Sequence, residues 1–252
     1  MFFFDSFLGK KVLKSSLLDG VEHFFSTREL VLTQGALDEL RPIAIENRKN
    51  MCSEFGIEYE KLVTINQIHS DKVVLSDNDK SFYGDCDAVI VPDSDSATIL
   101  NFADCVPIIL YSPDKNVAAV VHAGWRGTAA KILEKTVIKM TSELGVAPST
   151  IKAAIGPAID KCCFETGREV FEQLVEDSDA PKALYDYDST RDKYYVDLKS
   201  LNKNQLLATG VIDIDVCDYC TCCMSDIFFS YRKEHGKTAR HSAVVNLRKR
   251  NF

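Results

Sequence analysis

No apolar run in this chain is long enough to cross a bilayer, which argues against a helical membrane span. The first residues, Met1-Phe-Phe-Phe-Asp5, have no basic segment ahead of them and no long apolar stretch, so we read no secretory signal there. Positive charge is in deficit: 30 Lys and Arg stand against 37 Asp and Glu, a net charge of −7. That balance disfavours a nucleic-acid polymer as the main partner. The chain also lacks internal repeats, low-complexity tracts and any Pro/Gly/Ser-rich linker, so we expect one domain over residues 1–252. No Walker loop, Rossmann glycine fingerprint, H-E-x-x-H, G-x-S-x-G or zinc-deaminase H-x-E with P-C-x-x-C occurs. Histidine is scarce, with 5 in 252 residues. A multicopper oxidase needs a histidine-rich cluster, so a copper phenol oxidase is a weak expectation.

What is present is an ordinary globular composition, 46% hydrophobic and 27% charged, able to bury a sizeable core. Nine cysteines, an odd number, point to reduced thiols and a cytoplasmic setting. β-Branched and apolar runs predict strands over 23–28, 62–69, 84–91, 97–102, 106–111, 117–121, 151–155, 194–198, 211–216, 227–231 and 241–247. Helical spacing predicts helices over 37–55 and 201–209, one that Cys162-Cys163-Phe164-Glu165 leads into and that runs through Val175, and one starting at Thr128 and closed by Gly145. Residues 177–192 read as an acidic surface excursion, and Leu247-Arg-Lys-Arg250 as a short solvated basic tail.

Three metal-capable side chains fall where strands end or break. His69 closes the 62–69 strand, Cys105 sits in the break between 102 and 106, and His122 follows the 117–121 strand. The last of these leads into a glycine-bracketed turn, Gly124-Trp-Arg-Gly127. Two imidazoles and one thiolate suit zinc, and three ligands leave a fourth position for water or substrate. Each residue alone is equally a capped histidine or a buried structural thiol. Cys217-Asp-Tyr-Cys220, with Cys222 and Cys223 behind it, reads as a second metal site, a redox pair or, in preference, reduced structural thiols.

Several blocks carry a resemblance: Phe25-Ser-Thr-Arg28, Asn66-Gln-Ile-His69, Gly84-Asp-Cys-Asp-Ala-Val89, Ala103-Asp-Cys-Val-Pro-Ile108 and Val121-His-Ala-Gly-Trp-Arg-Gly127. It continues through Ile155-Gly-Pro-Ala158, Cys220-Thr221 and Phe228-Phe-Ser-Tyr-Arg232. On these the sequence resembles the YfiH-like laccase-domain family of purine nucleoside phosphorylases. The resemblance implies an α+β, four-layer α-β-β-α sandwich in one domain, with zinc on His69, Cys105 and His122. It implies phosphorolysis of adenosine, inosine, guanosine and methylthioadenosine, and hydrolytic deamination of adenosine. Purine nucleosides and phosphate are then the small-molecule partners. Glu29-Leu-Val-Leu-Thr33 departs from the paired glycines that often follow the family's arginine, and Cys217, Cys222 and Cys223 lie outside the shared pattern.

For the chemistry, Asp104 beside Cys105 is the candidate proton carrier or, equally, an orienting group. Arg28 and then Arg126 are the candidate phosphate contacts, because a guanidinium fork binds two oxygens. The rival to the nucleoside reading is a zinc- or cysteine-dependent hydrolase of cell-wall precursors, with Cys105 as nucleophile and His122 as base.

Overall fold

A strand covered on both faces has to be apolar at every position, and Val117–Ala123 is buried at every one. It lies at the centre of a computed structural model that describes residues 1–77, 80–92, 97–175 and 184–247. In chain order the strands are β1 Phe2–Phe7, β2 Lys10–Ser15, β3 Glu22–Ser26, β4 Thr64–Asn66, β5 Val73–Leu75, β6 Phe82–Asp85, β7 Ala88–Val91 and β8 Ala97–Phe102. They continue as β9 Val106–Ser112, β10 Val117–Ala123, β11 Lys152–Ile155, β12 Glu165–Thr166, β13 Tyr185–Asp188, β14 Lys193–Val196, β15 Asp213–Val216 and β16 His241–Asn246. The helices are α1 Arg41–Phe55, α2 Trp125–Ala129, α3 Ile132–Leu144, α4 Arg168–Val175 and α5 Leu198–Ala208. The fold is mixed α/β, with several sheets and few helices, as expected.

Two large sheets dominate. One is antiparallel, in the order β1-β2-β3-β16-β8; the other is mixed, in the order β15-β11-β9-β10-β7-β5. Because side chains alternate along a strand, each sheet feeds two cores. Phe25, Leu100, Phe102 and Val245 of the first sheet share a core with Val89, Ile109, Val120 and Ala154 of the second. The opposite parity of the second sheet, including Ile90, Ile108 and Val121, packs with Leu133 and Met140 of α3 and Leu201 and Leu206 of α5. Phe24, Ile99 and Val244 of the first sheet pack with Met51, Cys52 and Phe55 of α1. No helix among the described residues is long and apolar enough to cross a membrane.

The differences from expectation have local causes. The 227–231 stretch is not a strand: Ile227 and Phe228 both donate their N–H to the Met224 carbonyl, so the segment turns on itself. Phe228 and Phe229 are nevertheless buried, which explains the strand-like pattern. The helix expected from Thr128 is two helices. It starts earlier, at Trp125, and is interrupted where Lys131 takes a left-handed φ of 58°. Only Thr64–Asn66 of the 62–69 stretch is strand, and β1 with β2 forms a hairpin that no pattern announced. The basic tail beyond Leu247 and the first part of the acidic excursion lie outside the described residues; its later part supplies β13.

Candidate active site

Sheet register builds this site. In the β9–β10 hairpin, Ala123 is paired with Val106 and His122 with Pro107, so Cys105, one residue before β9, comes level with the end of β10. The Ala103–Cys105 step also carries the chain from β8 in one sheet to β9 in the other. β7 pairs with β10 so that Ala88 faces Val121, which sets Asp87 level with His122; the His122 N–H donates to the Asp87 carbonyl at 2.7 Å. His69 arrives from the loop after β4 with a φ of 59°, an uncommon conformation for a residue with a side chain.

The loop carrying His69 is held by Asp87. The Asp87 carboxylate accepts the backbone N–H of His69 at 2.9 Å, that of Ser70 at 2.6 Å and the Ser70 hydroxyl at 2.7 Å. The same carboxylate holds His122 Nδ1 at 2.7 Å, leaving Nε2 as the nitrogen open to a ligand. One buried aspartate therefore orients both histidines, the partnership that metal-binding imidazoles usually have. The ligating atoms of His69, Cys105 and His122 lie within 4.8 Å of one another. Gly124 is required for that approach: a Cβ there would stand 3.0 Å from His69 Nδ1 and 3.1 Å from Cys105 Sγ. The donor set and this glycine-cleared cradle fit a zinc-class ion.

Electrostatics prepares the ligands. Burial alone would raise the Cys105 thiol, but the His122 charge and hydrogen bonds from both histidines outweigh it and hold the thiol at about 6. Burial would lower His122, yet the Cys105 thiolate and Asp87 raise it to about 9. Burial would likewise raise Asp87, but bonds to His122 and Ser70 hold it at about 2. These shifts favour the charged forms of Cys105, His122 and Asp87 together.

The three residues face a cavity of about 430 Å³. Trp125, Phe164 and Tyr231 give it aromatic walls, with Ile159 and Leu198 beside them. Gln67 and Asn101 form a polar side, the Gln67 amide being held by the Asn101 carbonyl and N–H, both at 2.8 Å. Asp104 also borders the cavity, with a φ of 85°; its carboxylate accepts the Thr221 hydroxyl and the Arg232 N–H, each at 2.7 Å.

The two arginines singled out in the sequence do not line this cavity. Arg28 donates to the Ser225 and Phe228 carbonyls at 2.6 and 3.1 Å, pairs with Glu234 and stacks on Phe229. Arg126 lies over the Trp125 ring, 4.2 Å from its centroid. The arginines that do line the cavity are Arg232 and Arg240. Arg232 donates to the Cys163 and Glu165 carbonyls. The Arg240 guanidinium bonds the Thr238 and Ala239 carbonyls through Nη1 alone, and its Nε and Nη2 have no acceptor among the described residues. Sequence reasoning assigned no role to Asp87 or Arg232, although both sit in the Gly84–Val89 and Phe228–Arg232 blocks. Arg240 lies in no recognisable pattern.

Comparison with known proteins finds relatives over most of the chain. The profile of a family described as multi-copper polyphenol oxidoreductase laccase matches residues 22–248. The chain is 34% identical over 219 residues to the purine nucleoside phosphorylase YlmD of Geobacillus stearothermophilus, covering 82% of this chain and 80% of that protein. It is 29% identical over 238 residues to adenosine deaminase RL5 of an unknown prokaryotic organism, covering 86% and 90%. The crystal structure of YlmD from Geobacillus stearothermophilus superposes with a TM-score of 0.88 at 27% identity, covering 98% of this chain and 99% of that one.

Proposed function

This chain belongs to the laccase-like YfiH family, and from that premise we propose that it is a zinc-dependent enzyme of purine nucleosides. Its reactions are phosphorolysis of adenosine, inosine, guanosine and methylthioadenosine, and hydrolytic deamination of adenosine to inosine. Its setting is the cytoplasm. The observation that carries this reading is the convergence of His69, Cys105 and His122 on an aromatic-walled cavity sized for a small molecule. Zinc, when held by these three, supplies the Lewis acidity that activates water for attack at C6 of adenine. Of the five histidines, only His69 and His122 line the cavity among the described residues, short of the histidine-rich set of a multicopper centre.

Phosphorolysis breaks the C1′–N9 bond and forms a C1′–oxygen bond to phosphate; the base leaves as its anion and takes up a proton. Arg240, with uncommitted guanidinium nitrogens, is the phosphate ligand, and Arg232 supports it from the same wall. Arg28, bonded to Ser225, Phe228 and Glu234, and Arg126, stacked on Trp125, are outside the cavity lining. Trp125 and Phe164 offer ring faces to the purine. Asp104 fixes the wall through Thr221 and Arg232, which favours an orienting role over proton transfer.

With adenosine and phosphate, adenine and ribose 1-phosphate are expected; without phosphate, inosine alone. Adenine release indifferent to phosphate rules out phosphorolysis. The Cys105–His122–Asp87 array also matches a nucleophile–base–orienter arrangement, which supports the hydrolase as a second reading. In that reading Cys105→Ser keeps its zinc but loses turnover, and wild type forms a covalent adduct at Cys105 visible by mass spectrometry.

A further inference from the structure

A second group of metal-capable side chains lies apart from the cavity floor. The C-x-x-C spacing of Cys217 and Cys220 suggested a pair, but the chain does not bring these two into one cluster. Cys217 is buried and accepts the Tyr219 N–H. Cys220 joins Cys223, on the next turn, and the vicinal pair Cys162 and Cys163. All four sulfurs lie within 4.8 Å of one another, and none is in a disulfide. Measured edges are 3.6 Å for Cys162–Cys163, 3.6 Å for Cys162–Cys223 and 3.4 Å for Cys163–Cys223.

Those three edges fit one face of a tetrahedron, with Cys220 within 4.8 Å of each corner. A tetrahedron with metal–sulfur bonds of ~2.3 Å has sulfur–sulfur edges of about 3.8 Å, close to the observed separations. Disulfide pairing would need sulfurs at ~2.05 Å, against 3.4 Å for the Cys163–Cys223 pair. A multi-iron cluster takes thiolates at separate irons and needs its sulfurs farther apart than a single ion does. The Asp160 N–H donates to Cys220 Sγ at 3.4 Å, the kind of outer contact that steadies a thiolate ligand.

We propose that Cys162, Cys163, Cys220 and Cys223 bind a single tetrahedral ion of the zinc class, a closed structural site distinct from the His69, Cys105, His122 centre. Its place in the fold gives it a task. It ties the turn after β11 to the segment after β15, two stretches otherwise joined by the Ala158–Cys220 bridge and the Thr221 N–H bond to the Ala158 carbonyl. Both stretches meet the cavity. Ile159 and Phe164 line it, Thr221 holds Asp104, and the Cys163 carbonyl holds Arg232. The ion therefore braces one wall of the cavity without touching what binds there.

The test uses full-length Cys105→Ser protein, purified under reducing conditions, in which the first centre is disabled. One zinc per chain should remain by elemental analysis. Cobalt added to the zinc-stripped protein should bind at one per chain, with tetrahedral bands and a thiolate charge-transfer band. Adding Cys223→Ser, at an exposed position, should cut that charge-transfer intensity by about a quarter, as expected for loss of one of four ligands. Should the double variant fold poorly, the thiolate charge-transfer band of cobalt-loaded Cys105→Ser decides alone, because without Cys105 the first centre offers no thiolate. Zinc-free Cys105→Ser protein that takes up no cobalt overturns the proposal. So does a Cys163–Cys223 disulfide in freshly isolated protein, or the visible absorption of an iron–sulfur cluster. None of these outcomes depends on whether the enzyme acts on nucleosides.

Discussion

The two sulfur-containing clusters share an element type and differ in nearly everything else. The first mixes one thiol with two imidazoles, has a buried carboxylate behind it and opens on a cavity. The second has four thiols, two of them exposed, and no imidazole or carboxylate in the set. The first provides its own countercharge, which draws the Cys105 thiol down to about 6. In the second, burial and the neighbouring Cys223 and Cys220 thiols push Cys162 up to about 12. Cys223, hydrogen-bonded by Cys163 and Cys162, is instead held below the usual thiol range, and a cation would neutralise the whole set. Three ligands and an open side is the catalytic arrangement, four ligands and no open side the structural one. The difference teaches that ligand count and surroundings, more than the presence of sulfur, separate chemistry from architecture.

The largest effect that would break this contrast is at the first centre. Cys105→Ser should lose the zinc of that centre and drop nucleoside turnover by more than the ~100-fold typical of losing an outer partner. Elemental analysis and product assays on one preparation check both. Zinc undiminished from wild type, with lost turnover, would move Cys105 from ligand to nucleophile.

Asp87→Asn sharpens the comparison by removing what the thiol cluster lacks. Metal affinity at the first centre should fall about 10- to 100-fold, as for other carboxylate partners of ligating histidines. Competition with a chromogenic chelator measures it; unchanged affinity would leave Asp87 as a brace for the 68–70 loop alone.

Next come the arginines. Arg240→Ala should raise KM for phosphate about tenfold, roughly the loss of one charge-assisted hydrogen bond. Arg28→Ala should instead lower Tm, because it strips a bridge to Ser225, Phe228 and Glu234, with a smaller change in phosphate KM. Equal KM effects would put Arg28 at the phosphate.

The smallest effect concerns a histidine with the opposite fate to His122. Phe102 lies between the two, with ring centroids 5.4 Å from His122 and 6.2 Å from His241. Burial lowers His241 to about 3, so it stays neutral when folded. The unfolded chain takes up a proton there near 6.5. The stability this group contributes is complete above about pH 6.5 and is lost as pH falls towards 3. His241→Phe should therefore flatten the decline of Tm between pH 7 and 4. An identical slope in wild type and variant would rule His241 out as its source.

Residue type and local pattern were enough to determine the strand-end placement of Cys105 and His122, the glycine turn after β10, the mixed strand-and-helix class and the metal-capable set itself. These depend on alternation, on glycine geometry and on ligand chemistry, all of which operate within a few residues. Tertiary structure alone decided the rest. Asp87 reaches His122 only because β7 and β10 pair in one register, 35 positions apart in sequence. Cys163 meets Cys223 across 60 positions, while the adjacent-looking Cys217 is turned into the core. Arg28 and Arg240 are chemically identical in the sequence; one is consumed by backbone carbonyls and Glu234, and the other faces the cavity. Partners, burial and charge are properties of which strands pair and which loops they bring together, and no window along the chain contains them.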